Sequence, residues 1–142
     1  MKDQSVVVLM TPALGTKGIM DVSTISPIFA ASLVVAQATV NALQTANSVT
    51  FILTGPGDDD LAVAEYMIAK LQGANAREVC ARVRNVGAQN FSRYPSLDEQ
   101  YLADVEAACR INCFPFAMKF CDGILKKIPD AKQTCKSCSK IT

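Results

Sequence analysis

One stretch in the middle of the chain constrains the fold more than any other. It begins with the apolar run Val49–Thr54, passes through Gly55-Pro56-Gly57 and three aspartates, and ends in the amphipathic run Leu61–Leu71. β-branched and aromatic residues favour strands, whereas Gly and Pro interrupt them. The pattern therefore predicts a buried strand, a tight loop and a helix, which is the repeating unit of an α/β sheet.

The three aspartates, Asp58, Asp59 and Asp60, fall in the first turn of this predicted helix. One interpretation is structural, because an aspartate caps a helix and further acids complement its dipole. The other is functional, because ligands of open α/β sheets bind at the carboxyl ends of strands, where clustered oxygens suit Mg²⁺. The spacing alone favours the structural interpretation, since acidic first turns are common.

The composition limits the class of protein. A chain of 142 residues fits one domain with its own core. Half of the residues are hydrophobic and the formal charge is +1, so neither disorder nor attraction to nucleic acid is indicated. The apolar segments are too short to cross a bilayer, and the first residues lack the pattern of a signal peptide. We therefore expect a soluble intracellular protein, in the cytoplasm or an organelle matrix.

The residues available for catalysis are restricted. Histidine is absent, which removes the Ser-His and Cys-His pairs of common hydrolases. Cys135 and Cys138 form a C-x-x-C pair that could hold zinc or a reactive disulfide. Further zinc ligands would have to come from Cys109, Cys113 or Cys121, which lack a second C-x-x-C spacing, and the pair lacks a strand-to-helix context. We expect reduced thiols, with Cys109 and Cys113 lining the inner face of a helix end as small apolar residues.

The first half of the chain alternates between strand and helix patterns. Strands are predicted at Ser5–Met10, Ile25–Ala31 and Val49–Thr54, and helices at Leu33–Ala46, opened by Ser32, and at Asp59–Leu71. Such a repeat implies right-handed crossovers, so the fold class predicted is α/β with a parallel sheet and flanking crossover helices.

The second half begins with helical patterns and ends in a hairpin. Helices are predicted at Arg77–Val86 and Leu97–Arg110, and Ser96 with Glu99 forms a capping box for the latter. Two short strands, Phe114–Phe120 and Ile124–Ile128, flank an Asp-Gly turn, which is a strong hairpin signal. The domain therefore spans residues 1–128, and residues 129–142 form a basic, cysteine-containing tail.

Groups suited to binding a phosphate follow the first two predicted strands. Gly15, Thr16 and Lys17 offer backbone amides, a hydroxyl and an ammonium group, although the spacing of a Walker loop is absent. Ser32 follows the second strand and belongs to the same predicted sheet edge as the aspartates.

The ordered segments from about Ser5 to Ile128 resemble the C-terminal part of the 2-phosphosulfolactate phosphatase family. The most specific pieces are Asp104-Val105-Glu106, Cys109-Arg110-Ile111-Asn112, Phe114-Pro115-Phe116, Lys119 and Asp122-Gly123-Ile124, which resemble the family's closing pattern. Further similar pieces are Val7-Val8-Leu9 before Gly15-Thr16-Lys17, Ala31-Ser32, and Asp59-Asp60-Leu61 with Ala64. Members are Mg²⁺-dependent α/β enzymes of coenzyme M biosynthesis, so the resemblance implies about half of a larger α/β fold.

The chain departs from this family pattern at several positions. Leu14 and Val35 stand where the family has asparagines, and Glu65 stands where a glycine is usual. The family's N-terminal portion, with acids that support catalysis, has no counterpart here.

Two functions are therefore expected from the sequence. The first is a phosphatase-like domain that has lost catalysis and acts as a structural or interaction subunit, bound to a protein partner or to itself. The alternative is an active Mg²⁺-dependent phosphomonoester hydrolase for a small phosphorylated acid such as 2-phosphosulfolactate. In that case Asp59 and Asp60 hold the metal, and the phosphate-binding groups are Gly15, Thr16, Lys17 and Ser32.

Overall fold

The computed structural model of the chain describes residues 5–10, 21, 27–54, 58–75, 78, 81–82, 85, 103 and 106–130, with β1 and Asp59 described for the backbone only. It contains five strands and two α-helices whose bounds are defined within these ranges. The strands are β1 (Ser5–Met10), β2 (Ile28–Ala31), β3 (Ser48–Leu53), β4 (Phe116–Cys121) and β5 (Ile124–Pro129). The helices are α1 (Ala36–Leu43), preceded by a 3-10 turn over Leu33–Val35, and α2 (Asp58–Leu71).

The five strands form one sheet in the order β3-β1-β2-β4-β5. Strand β1 pairs in parallel with both β2 and β3. The pairs β2–β4 and β4–β5 are antiparallel. The predicted α/β class is confirmed, but the sheet as a whole is mixed rather than parallel, because the hairpin β4–β5 extends it in the opposite direction.

Both helices pack on one face of the sheet, against each other and over the main core. Alternate residues of β2 point to opposite faces: Phe29 and Ala31 join the main core, whereas Ile28 and Ala30 form a second cluster with partly buried residues of β3 and β4. All four residues of β2 are buried, as expected for a strand covered on both faces. None of the described helices is long and apolar enough to cross a bilayer.

The predicted boundaries need several corrections. The predicted helix from Leu33 begins as a 3-10 turn, and its α-helical part stops at Leu43. Strand β2 begins at Ile28, directly after Pro27, and residues 22–26 lie outside the described ranges. The sequence pattern predicts helix α2 as a crossover between parallel strands. It follows β3, which runs in the same direction as β1 and β2, but the next described strand, β4, runs in the opposite direction.

The predicted hairpin is confirmed. Cys121 pairs with Ile124 across a two-residue loop. Asp122 and Gly123 have φ angles of 54° and 81°, the left-handed values that a type I′ turn requires. Strand β4 starts at Phe116 rather than Phe114, because the Phe114 N–H donates to the carbonyl of Val34 in the 3-10 turn instead of to a strand.

The other C-terminal predictions lie partly outside the described ranges. Residues 78, 81, 82 and 85 are helical, as are 103 and 106–108, whereas the capping box Ser96 and Glu99 is not described. Strand β5 extends through Pro129, one residue into the predicted tail, and the tail from residue 131 onward is not described.

Candidate functional site

The parallel strands bring two groups of predicted site residues to one edge of the sheet. Met10, at the end of β1, lies in register with Ala31 of β2 and with Leu53 of β3. Ser32 follows β2 directly, and the aspartates begin the helix after β3. Because β1 lies between these strands, the ends of β2 and β3 are about 9–10 Å apart, two strand spacings.

The predicted phosphate-binding residues are only partly placed. Gly15, Thr16 and Lys17 follow β1 in the sequence and lie outside the described residues. Ser32 is half-buried and extended, with φ −156° and ψ 171°, and its side chain makes no capping hydrogen bond to the turn that follows. Ser32 does precede the first helical turn, as predicted, but it does not cap that turn through its side chain.

The three aspartates occupy the first turn of α2, and their environments differ. Asp58 is exposed, whereas Asp60 is only 8% exposed and is engaged in an interaction within the protein. Successive side chains on a helix point about 100° apart, so adjacent carboxylates diverge rather than converge. Among the described side chains, no group of three or more His, Cys, Asp or Glu residues could hold a metal ion. Metal binding by Asp59 and Asp60 stays a prediction.

The start of α1 is capped by a residue from a distant part of the chain. The Gln37 N–H donates to the side-chain carbonyl of Asn112 at 2.8 Å. The Asn112 amide group donates to the hydroxyl of Tyr66 at 3.2 Å, and its backbone N–H donates to the Leu33 carbonyl at 3.0 Å. Asn112 thus joins α1, α2 and the 3-10 turn; we call this set of three hydrogen bonds the Asn112 clasp.

A second polar connection runs along α1. The Gln37 side-chain amide donates to Asn41 at 3.0 Å, and the Asn41 amide donates to the Asp130 carboxylate at 2.8 Å. Asn112 precedes β4 and Asp130 follows β5. Helix α1 is therefore hydrogen-bonded to both ends of residues 112–130, which we call the hairpin segment. The sequence patterns gave no signal for either connection, because the partners are 75 and 89 residues apart.

The cysteines occupy a different place from the one predicted. Cys109 is half-buried and Cys113 is exposed, and both line an open groove of about 450 Å³ together with Glu106, Arg110 and Ile111. The prediction that both face inward from a helix end is wrong for Cys113, which lies beyond the helical residues 106–108. The three described cysteines carry free thiols, and Cys135 and Cys138 lie outside the described residues.

Strand β5 is exposed along its whole length. All six of its residues are exposed. Lys126 pairs with Asp122 at 3.0 Å, and this carboxylate raises the pKa of the Lys126 ammonium by its hydrogen bond and its charge. Lys127 lies 4.8 Å from the centre of the Phe116 ring, which in turn stacks on Phe114. The hairpin therefore presents a surface that is both apolar and basic.

Comparisons with known proteins identify no relative of the chain. No family model matches the chain, and no significant match was found among curated proteins or solved structures.

Proposed function

We propose that the chain is a phosphosulfolactate-phosphatase-like α/β domain that has lost hydrolysis and acts as a structural or interaction subunit. The observation that carries this proposal is strand β5, an edge strand exposed along its whole length. An exposed edge strand offers unpaired backbone groups to another chain, and soluble proteins normally cover or shorten such edges.

Apolar side chains on β5 support an interaction role. Ile124, Leu125 and Ile128 are 57%, 41% and 36% exposed. In a strand their side chains fall on both faces, so a chain added at this edge would meet apolar surface on either side. Addition of a strand to a sheet edge is a recurring mode of peptide recognition.

The residues that depart from the phosphatase pattern support the loss of catalysis. Val35 stands where the resemblance places an asparagine, and this residue is buried, with only 4% exposed. It offers no polar group at the sheet edge. Glu65 stands where a glycine is usual, and it forms an ion pair with Arg82.

The alternative is an active Mg²⁺-dependent phosphomonoester hydrolase. The common edge reached by β1, β2 and β3 favours it, because ligands of α/β sheets bind there. In this alternative Asp59 and Asp60 hold the metal, and Ser32 with Gly15, Thr16 and Lys17 binds the phosphate. Bound Mg²⁺ would neutralise the phosphate oxygens.

Thermal denaturation with and without millimolar Mg²⁺ distinguishes the two functions. For an interaction subunit we expect no Mg²⁺-dependent rise in melting temperature and no release of phosphate from small phosphorylated acids. Asp60→Asn should then lower the free energy of unfolding by about 1 kcal/mol, because the substitution removes a charge that complements the dipole of α2.

An active site gives the opposite result. Mg²⁺ would stabilise the native state in proportion to its occupancy, and Asp60→Asn would remove that stabilisation. Asp58→Asn is the matched control, since Asp58 is exposed in the same helical turn. Metal-dependent phosphate release that is lost in Asp60→Asn and kept in Asp58→Asn would contradict the proposal.

A further inference from the structure

The hydrogen-bond pattern of the hairpin identifies which backbone groups β5 leaves at its outer edge. The Asp130 N–H donates to the Pro115 carbonyl at 2.9 Å. Asp130 is thus at a hydrogen-bonded position opposite Pro115. In an antiparallel pair, hydrogen-bonded and non-hydrogen-bonded positions alternate along each strand. Counting back from residue 130, the residues of β5 that bond to β4 are 128, 126 and 124. The backbone groups of Leu125, Lys127 and Pro129 therefore point away from β4.

Pro129 is compatible with this assignment. It has no N–H, and proline occurs in sheets where its nitrogen faces away from a paired strand. An added strand can thus bond to the N–H and carbonyl of Leu125 and of Lys127, and Pro129 ends the row of outward-facing N–H groups. Among the described residues, no strand pairs with this edge.

The charges of the hairpin favour an acidic partner. Lys119 lies directly opposite Lys126 on β4, so two ammonium groups share one face. Asp122 pairs with Lys126, and Lys127 lies over the Phe116 ring on the other face. The remaining carboxylate of the hairpin segment, Asp130, is bonded to Asn41 beyond the end of β5. Three lysines against one nearby carboxylate leave the hairpin basic.

Two antiparallel registers of β5 with a second copy of itself are unfavourable, because centring on Lys126 or Lys127 places a lysine opposite its own copy. Like charges directly opposite each other destabilise a strand pair. A strand with carboxylates opposite Lys126 and Lys127 avoids this repulsion and adds counter-charges where the lysines outnumber the nearby carboxylate.

We propose that β5 binds an extended segment of another protein, with acidic residues opposite Lys126 and Lys127 and apolar residues opposite Leu125 and Ile128. This inference rests on the proposed interaction role and specifies the partner's chemistry.

The test is an NMR titration of the full chain with two synthetic peptides. The acidic probe is acetyl-Thr-Val-Glu-Glu-Val-Thr-amide, and the basic probe has lysines in place of both glutamates. At low salt we expect the acidic probe to bind about tenfold more tightly, since two exposed ion pairs replace two repulsions. The amide signals of Leu125 and Lys127 should shift most, because their N–H groups receive the new hydrogen bonds.

Two variants separate backbone pairing from charge. Leu125→Pro removes an outward N–H without breaking a bond to β4, so binding should be lost while the fold is kept; Leu125→Ala, which keeps that N–H, should still bind. Lys127→Glu should abolish the preference between the two probes. Lys70→Glu is its matched control, because Lys70 also lies over an aromatic ring, Tyr66, but far from the hairpin in sequence; it should keep the preference.

The outcomes are distinct from those of the Mg²⁺ experiment. Equal affinity for both probes, or shifts that persist in Leu125→Pro, would overturn the acidic-partner inference while leaving the interaction role open to other surfaces. A dimer seen by sedimentation that is lost in Leu125→Pro and unaffected by the acidic probe would replace the inference with self-association. Metal-dependent hydrolysis would instead count against the proposed function itself.

Discussion

Replacing Asn112 by alanine is expected to lower the free energy of unfolding by about 2–3 kcal/mol. The substitution removes the capping acceptor of Gln37, which is worth about 1 kcal/mol at a helix N-terminus. It also forces alanine into the left-handed conformation that Asn112 adopts at φ 60°, at a cost of about 1–2 kcal/mol. Urea denaturation followed by circular dichroism measures the change.

Glycine and aspartate at the same position separate these contributions. Asn112→Gly tolerates the positive φ but loses the cap, so it should cost about 1 kcal/mol. Asn112→Asp keeps an acceptor for Gln37 and loses the donor to Tyr66, and Tyr66→Phe tests that same hydrogen bond from the other side. Equal costs for Ala and Gly would show that backbone strain contributes nothing, and costs below about 0.5 kcal/mol for both would rule out the Asn112 clasp as a stabilising feature.

The features that could be predicted from the sequence are those set by neighbouring residues. The β-branched run before Gly55 predicts a strand, and β3 lies within one residue of the predicted bounds. Asp122 and Gly123 predict the hairpin turn because few residue types tolerate two successive positive φ angles. Asp58 marks the start of α2 because aspartate is favoured at helix starts.

The features that could not be predicted depend on distant contacts. Ser32 has the right residue type for a helix cap, yet the structure takes the cap from Asn112, far along the chain. The antiparallel direction of β4 is likewise set by how the chain returns to β2, and the apolar pattern of a strand is the same in either direction. The candidate site was predictable only as a common sheet edge, because the burial of Asp60 is decided by tertiary packing.

Met67→Ala is expected to have the largest effect on stability, lowering the free energy of unfolding by about 3 kcal/mol, within the 2–5 kcal/mol range for truncating a buried methionine. The Met67 side chain is fully buried, and it belongs to the core cluster where α2 meets α1 and the sheet. Removing it leaves a cavity that small residues of the same cluster, such as Ala36 and Ala64, cannot fill without movement of the helices.

Ile68→Ala is the matched control, because Ile68 is the next residue of α2 and is 37% exposed. Its truncation should cost about 1 kcal/mol or less, since much of the side chain already contacts water. Urea denaturation of both variants measures the difference. If Ile68→Ala cost as much as Met67→Ala, the face of α2 that packs on the sheet would differ from the one described.

If Met67→Ala also abolished binding of the acidic probe at temperatures where the chain stays folded, the hairpin edge would depend on the packing of α2. We expect no such loss, because the hairpin segment is also held by the pairing of β4 with β2 and by hydrogen bonds to Gln37 and Asn41 of α1.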